Sequence, residues 1–344
     1  MSSLEVLAQQ LIRNDQNAPL HHVMLQVEDH RNGQCQTLAL GNNGPGGRPV
    51  QYSDMFRIGS ITKTFTAALV LQLCEESLLH LDDAVVEVLP PEIASQLQHL
   101  NAQNLRLIHL LQHRSGLPDY LAADAGLVAQ AFTQPGKQWH PWELANDFLK
   151  NLQCLSHEPG TGFLYADTNY LLLGIIAEHQ TQETLAALMD VRIIQALGCS
   201  HTRLEDAISE AGMLVHYYGA YSMEAVNCSF DWGGGGLISN MSDLSLFVHA
   251  LHEGRLFKNP ETQKTMTSFL PATAHFLPYG FGLQQFEYRG ILLNGHLSAY
   301  GAAMFYHRPT STSIIIQQDQ AAAVHKTQWL LRKLIQELLP QAAL

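Results

Sequence analysis

The sequence predicts an α+β protein: one antiparallel sheet formed from both chain ends, flanked by N- and C-terminal helices, with a mainly helical region inserted between the two halves. Three observations carry this. Short strand-like runs separated by turn signals occur near both ends; the middle, about residues 61 to 220, has helical spacing with long connections; and no internal repeat or low-complexity linker divides the chain. Residues 1–344 therefore read as a single domain, with an α/β part of about 1–60 and 230–344 and a helical part of about 61–229.

In chain order, Leu4, Leu7, Leu11 and Ile12 recur at the spacing of one helix face. His22 to Val27 and Gln36 to Leu40 read as two strands, and Arg31-Asn32-Gly33 supplies the turn of a hairpin. Ile61, Phe65, Ala67 to Leu71, Leu73 and Cys74 make a helix that is apolar nearly all round, which predicts burial on every side. A second apolar helix follows Tyr165. Phe281 to Phe286, Ile291 to Asn294, Ala302 to His307 and Ser313 to Gln317 are strand candidates, parted by Arg289-Gly290 and by Arg308-Pro-Thr-Ser311. The last helix places Trp329, Leu330, Leu334, Leu338 and Leu339 on one side.

Composition narrows the function. The chain has 344 residues, 46% of them hydrophobic, enough for a large core. Its net charge is -12, with 19 Lys and Arg against 31 Asp and Glu and no basic stripe, so a nucleic acid would meet repulsion. The apolar run Tyr170 to Ala177 ends after eight residues, against the roughly 20 that cross a bilayer, so no membrane association is expected. The N-terminus lacks the basic start and continuous apolar segment of an export signal, and the five cysteines (Cys35, Cys74, Cys154, Cys199, Cys228) are odd in number and unpaired in spacing. Both features lead to the expectation of a cytoplasmic protein with free thiols.

The chemistry concentrates at Arg57-Ile-Gly-Ser-Ile-Thr-Lys63, where Ser60 and Lys63 share one helix face three residues apart. A helix N-terminus favours an oxyanion, and burial of an amine there disfavours its charged form, so the lysine can take a proton from a serine attacking a carbonyl. Ser60 is also a plausible helix cap with Lys63 reaching solvent. Against that, the chain holds seven lysines and only this one follows a serine by three residues. Tyr165 and Asp167 fall on a loop before the second apolar helix, and His296 ends a strand beside small residues; each is equally readable as structural. His109 and His113 have helical metal-ligand spacing without the glutamate of His-Glu-x-x-His, so no metal is expected. Gly233 to Gly236 lack a following lysine and read as a close backbone approach rather than a phosphate loop, with Ser239 or Ser242 capping the next helix. No Gly-x-Ser-x-Gly elbow occurs.

With these pieces in order, the sequence resembles the serine β-lactamase and penicillin-binding-protein superfamily, in the class C β-lactamase-like branch that includes family VIII carboxylesterases and D-amino-acid peptidases. The resemblance runs through FRIGSITKTFTA (56–67), LLQHRSGLPDY (110–120), PGTGFLYADTNYLLLG (159–174), GGGLISNMSDLSLFVHAL (234–251), YGFGL (279–283) and GHLSAYG (295–301). It implies a β-lactamase/transpeptidase-like fold, Ser60 as nucleophile, Lys63 and Tyr165 sharing proton transfer, and an oxyanion hole from the N–H groups of Ser60 and Ala299. His296 would orient the substrate and favour the tyrosinate.

Two positions depart from the pattern. Asp167 stands where most relatives have asparagine, and a carboxylate cannot donate to a substrate amide carbonyl. If it faces Lys63 it favours the ammonium, which makes Tyr165 the base and Lys63 its cationic activator. Ser298 replaces a glycine, adding a side chain expected to narrow the substrate pocket or to shift the substrate. The resulting expectation is a serine hydrolase of small esters or related acyl compounds, without cofactor. Its alternatives are an amide hydrolase (β-lactamase, D-Ala-D-Ala carboxypeptidase or D-aminopeptidase), an acyltransferase, or a catalytically weak acyl-ligand-binding member.

Overall fold

A side-chain period of two sends alternate residues of each strand to opposite faces, and both faces of this sheet are apolar. The computed structural model describes residues 3–13, 19–98, 100, 102–123, 125–205, 212–321 and 323–339. Its principal strands are β1 (His22–Asp29), β2 (Gln34–Gly41), β3 (Gln284–Tyr288), β4 (Ile291–Leu297), β5 (Ala303–His307) and β6 (Thr312–Gln318). Its main helices are α1 (Ser3–Arg13), α2 (Thr62–Glu75), α3 (Asp167–Thr181), α4 (Met241–His252) and α5 (Val324–Leu338).

The strands run in the order β2-β1-β6-β5-β4-β3, all antiparallel. Pairing of β1 with β6, Val27 opposite Ile314, joins the two ends of the chain in one sheet. Val23, Leu25, Val27, Phe305, Ile314 and Ile316 point to one face, where Leu4 and Leu7 of α1 and Leu330 and Leu334 of α5 cover them. Met24, Met304, Tyr306 and Ile315 point to the other and merge with the core of the helical part. Because α2 is apolar nearly all round, it runs through that core, with Thr62 to Leu71 and Leu73 buried. Phe65 stacks on Phe247 of α4 at 3.5 Å between ring centroids.

Three local readings change. The strand expected over Phe281 to Phe286 starts only at Gln284. Gly282 adopts φ +69°, its carbonyl accepts from Thr64 Oγ1 at 2.7 Å, and a Cβ on it would lie 2.6 Å from the Lys63 carbonyl, so the segment bends against α2 instead of extending. The cap of α4 is Asn240, whose side chain accepts from Asp243 N, rather than Ser239 or Ser242. A small sheet of Phe56–Arg57, Leu237–Ser239 and Arg203–Leu204 also forms, from strands too short to show a period. The five cysteines are free thiols, and among the described residues no helix is long and apolar enough to cross a membrane.

Candidate active site

Ser60 lies on a 3-10 turn, Gly59–Ile61, that leads into α2, so it precedes the helix rather than sitting in its first turn. The turn leaves Ser60 partly exposed, while Lys63, one turn further on, has no exposed surface. Lys63 Nζ reaches Ser60 Oγ at 3.2 Å and the Gly234 carbonyl at 2.8 Å, and donates to Asp167 Oδ1 in a short ion pair. Burial pulls the Lys63 amine toward neutrality, but Asp167 and then Tyr165 outweigh it and hold the group above its ordinary value. Lys63 is therefore an ammonium, as expected for a lysine facing a carboxylate.

Asp167 is the first residue of α3 rather than part of the loop, a helix end where the dipole favours a carboxylate. Its own N–H donates to Asp119 Oδ1 at 3.2 Å. Burial, and then the charge of Asp167, push Asp119 up to about 6. The glycine turn is the close backbone approach read from the sequence: Gly234 O faces Lys63, and Gly233 O accepts from Thr66 Oγ1 at 2.7 Å.

Tyr165 is partly exposed, with Lys63 Nζ 5.0 Å from its ring centroid, and the side chains of Ser60 and Lys63 are the polar neighbours that favour its ionised phenol. Burial of that hydroxyl raises it above the ordinary phenol value, with the Lys63 charge opposing. The structure thus brings Ser60, Lys63, Tyr165 and Asp167 together. His296 also reaches this region, its ring centroid 6.2 Å from that of Tyr165. Its Nδ1 faces the Leu297 carbonyl at 2.6 Å and so carries the proton, leaving Nε2 to accept from Tyr279 Oη at 3.3 Å. Burial and then the charge of Lys63 lower His296 to about 3. A neutral ring that bonds to Tyr279 brings no charge to favour a tyrosinate at Tyr165.

Ser298 faces inward. Its side chain is buried and turned into its own loop, where Oγ accepts from Tyr300 N at 3.0 Å. This loop packs on Gly59, whose φ is +50° and whose added Cβ would meet Ser298 Oγ at 2.4 Å. Ala299 is exposed in the turn after β4, and the Ser60 N–H opens the 3-10 turn where no intrahelical acceptor precedes it. Tyr300 donates to buried Asp231, whose carbonyl accepts from Gly234 N and Gly235 N, both at 2.9 Å. One hydrogen bond thereby ties the Ala299 loop to the turn that receives Lys63. Burial, opposed by Tyr300, pushes Asp231 up to about 7.

Sequence reasoning missed His113, noted only for its spacing from His109. Its carbonyl accepts from Leu164 N at 2.9 Å, gripping the backbone before Tyr165, and its Nδ1 faces both Ala166 N at 3.2 Å, just after Tyr165, and Asn169 Nδ2 at 3.0 Å. Its ring lies 4.2 Å from that of Tyr165, and burial holds it neutral, well below the usual imidazole value. The one available signal was its place in LLQHRSGLPDY. His113→Phe keeps the ring contact and loses the acceptor shared by Ala166 N and Asn169 Nδ2; it is expected to lower kcat about tenfold or more with KM little changed. His113→Asn, which tolerates the φ of +55° and restores an acceptor, should recover much of that loss in steady-state assays.

A cavity of about 860 Å³ lined by Tyr120, Trp139 and Phe148 shares none of these residues, so the chemistry and not the size of the opening marks the site. The sequence profile of the β-lactamase family matches residues 27–336, most of the chain. The chain belongs to the β-lactamase family. This β-lactamase-family chain is similar to a D-aminopeptidase of Gluconobacter oxydans (strain 621H), 26% identical over 246 residues, 69% of the chain and 43% of that protein. It is similar too to esterase EstB of Burkholderia gladioli, 32% identical over 154 residues, 44% of the chain and 39% of that protein. The chain thus spans about half the length of the curated relatives it matches, or less. The crystal structure of D-amino acid amidase from Ochrobactrum anthropi SV3 has the same fold, at a TM-score of 0.80 and 22% identity, covering 98% of this chain and 100% of that one.

Proposed function

We propose that this β-lactamase-family chain hydrolyses small neutral esters through an acyl-enzyme on Ser60. The observation that carries the reading is the Ser60–Lys63–Tyr165 contact, closed off by the Lys63–Asp167 ion pair. Lys63, held as an ammonium, stabilises a phenolate at Tyr165; the phenolate takes the Ser60 proton as Oγ attacks the carbonyl, and returns it to the departing alkoxide. The Ser60 and Ala299 N–H groups receive the oxyanion. Water then repeats the sequence on the acyl-enzyme.

Substrate charge supports an ester over a carboxylate-bearing peptide or β-lactam. Lys63 is engaged by Asp167, and Arg57 is buried in a two-pronged bond to Glu205. His296 is neutral and Asp167 already faces the Lys63 ammonium, so a substrate anion would meet little unopposed positive charge. Asp167 also offers no N–H to an amide carbonyl. An amide hydrolase acting on D-amino compounds is the second reading, favoured by the similarity to D-aminopeptidases.

The test is p-nitrophenyl acetate and butyrate turnover, with the acyl adduct located by mass spectrometry and compared with Ser60→Ala. Expected are a Ser60-dependent burst and an adduct on Ser60. Turnover that survives Ser60→Ala overturns the proposal, and faster turnover of D-amino-acid amides, D-Ala-D-Ala peptides or nitrocefin than of the esters replaces it with the amide reading.

A further inference from the structure

We infer that Phe163 and Phe276 form a platform for the leaving alcohol, so the preferred substrates are esters of aromatic or bulky apolar alcohols. The inference rests on the acyl-enzyme reading above and adds which half of the ester the site discriminates. In that reading the Ser60 Oγ–carbonyl carbon bond forms, the carbon–oxygen bond to the alcohol breaks, and the proton passes from Ser60 through Tyr165 to the departing oxygen. The leaving oxygen must therefore come within hydrogen-bonding distance of the Tyr165 hydroxyl, and whatever it carries lies against the surroundings of that residue.

Those surroundings are aromatic. The ring of Phe276 lies 5.6 Å from that of Tyr165 and is tilted from it by only 17°. Phe163 is 5.6 Å from Phe276 and 6.0 Å from Tyr279. The layer behind is filled: His113 packs on Tyr165 and, edge-on, against Tyr279, and both are buried. The layer in front is open, since Phe276 is 45% exposed and Phe163 and Tyr165 are half-buried. Phe276 is not a lone surface ring, since with Phe163 and Tyr165 it makes one aromatic cluster beside the group that must meet the leaving atom. A flat apolar group seated there would cover the open faces in the offset geometry aromatic rings favour.

The experiment compares methyl and benzyl butyrate, whose alcohols are similar in acidity, against wild type, Phe276→Ala and Phe163→Ala, with methyl acetate and methyl phenylacetate as the acyl-varied arm. The expected result is a benzyl-over-methyl preference in kcat/KM that falls about tenfold in either variant. Methyl butyrate turnover also reports that each variant is folded. An equal loss on methyl and benzyl butyrate, or a loss confined to the acyl-varied arm, overturns the platform and leaves the acyl-enzyme reading standing. No Ser60-dependent turnover of any ester by the wild type overturns that reading, and the platform with it.

Discussion

Replacing Lys63 by methionine is expected to lower kcat/KM by about 1000-fold, the scale of removing both a charge and a proton-transfer partner from an active site. The same change should also destabilise the fold. Lys63 has no exposed surface and its ammonium is the partner of Asp167, so methionine leaves a carboxylate facing Asp119 without a cation. Breaking such a pair from one side costs about 3–5 kcal/mol. The double variant Lys63→Met/Asp167→Asn removes the stranded charge as well, and should regain most of the thermal stability while staying inactive. Thermal unfolding and ester kinetics on the two variants separate these effects. A single variant that keeps a tenth or more of its activity would remove Lys63 from the mechanism, and a double variant as unstable as the single one would show that the ion pair is not the source of the loss.

Tyr165→Phe should cost about 100- to 10,000-fold in kcat/KM, the range for a general base. Its signature is the pH profile. The phenol lies above its ordinary value, so at neutral pH little of it is phenolate, and the reactive fraction grows with pH. Activity in the wild type is therefore expected to fall on acidification and to climb about tenfold per pH unit through the mildly alkaline range. Lys63, held above its ordinary value, keeps its charge throughout that climb. Asp119 at about 6 and Asp231 at about 7 titrate below it, and His296 at about 3 lies outside it. The residual activity of Tyr165→Phe should lose the alkaline rise while keeping any inflection near pH 6 to 7. A rise that persists in Tyr165→Phe would assign the base elsewhere.

Much of the sheet was legible because its strands are long enough to show alternation and are parted by turn residues, as at Arg31-Asn32-Gly33 and Arg289-Gly290. The strand that begins at Gln284 was misplaced because Gly282 bends to meet α2, a contact with a helix some 200 residues away in the chain that no local pattern records. Ser60 and Lys63 were legible for the opposite reason, since helical spacing alone puts them on one face. The packing of Ser298 was not legible because its side chain, held by Tyr300 N within its own loop, lies against Gly59, a residue far away in the chain.

The amino-acid order by itself determined the α+β class, the burial of α2 and the pairing of a serine with a lysine, because each follows from periodicity within a few residues. Tertiary packing alone decided the charge on Lys63, the neutrality of His296, the grip of His113 on Tyr165 and the bond from Tyr300 to Asp231. Those properties depend on burial and on partners drawn from distant segments, and desolvation and Coulomb energies act over a few ångströms of space, whatever the separation along the chain.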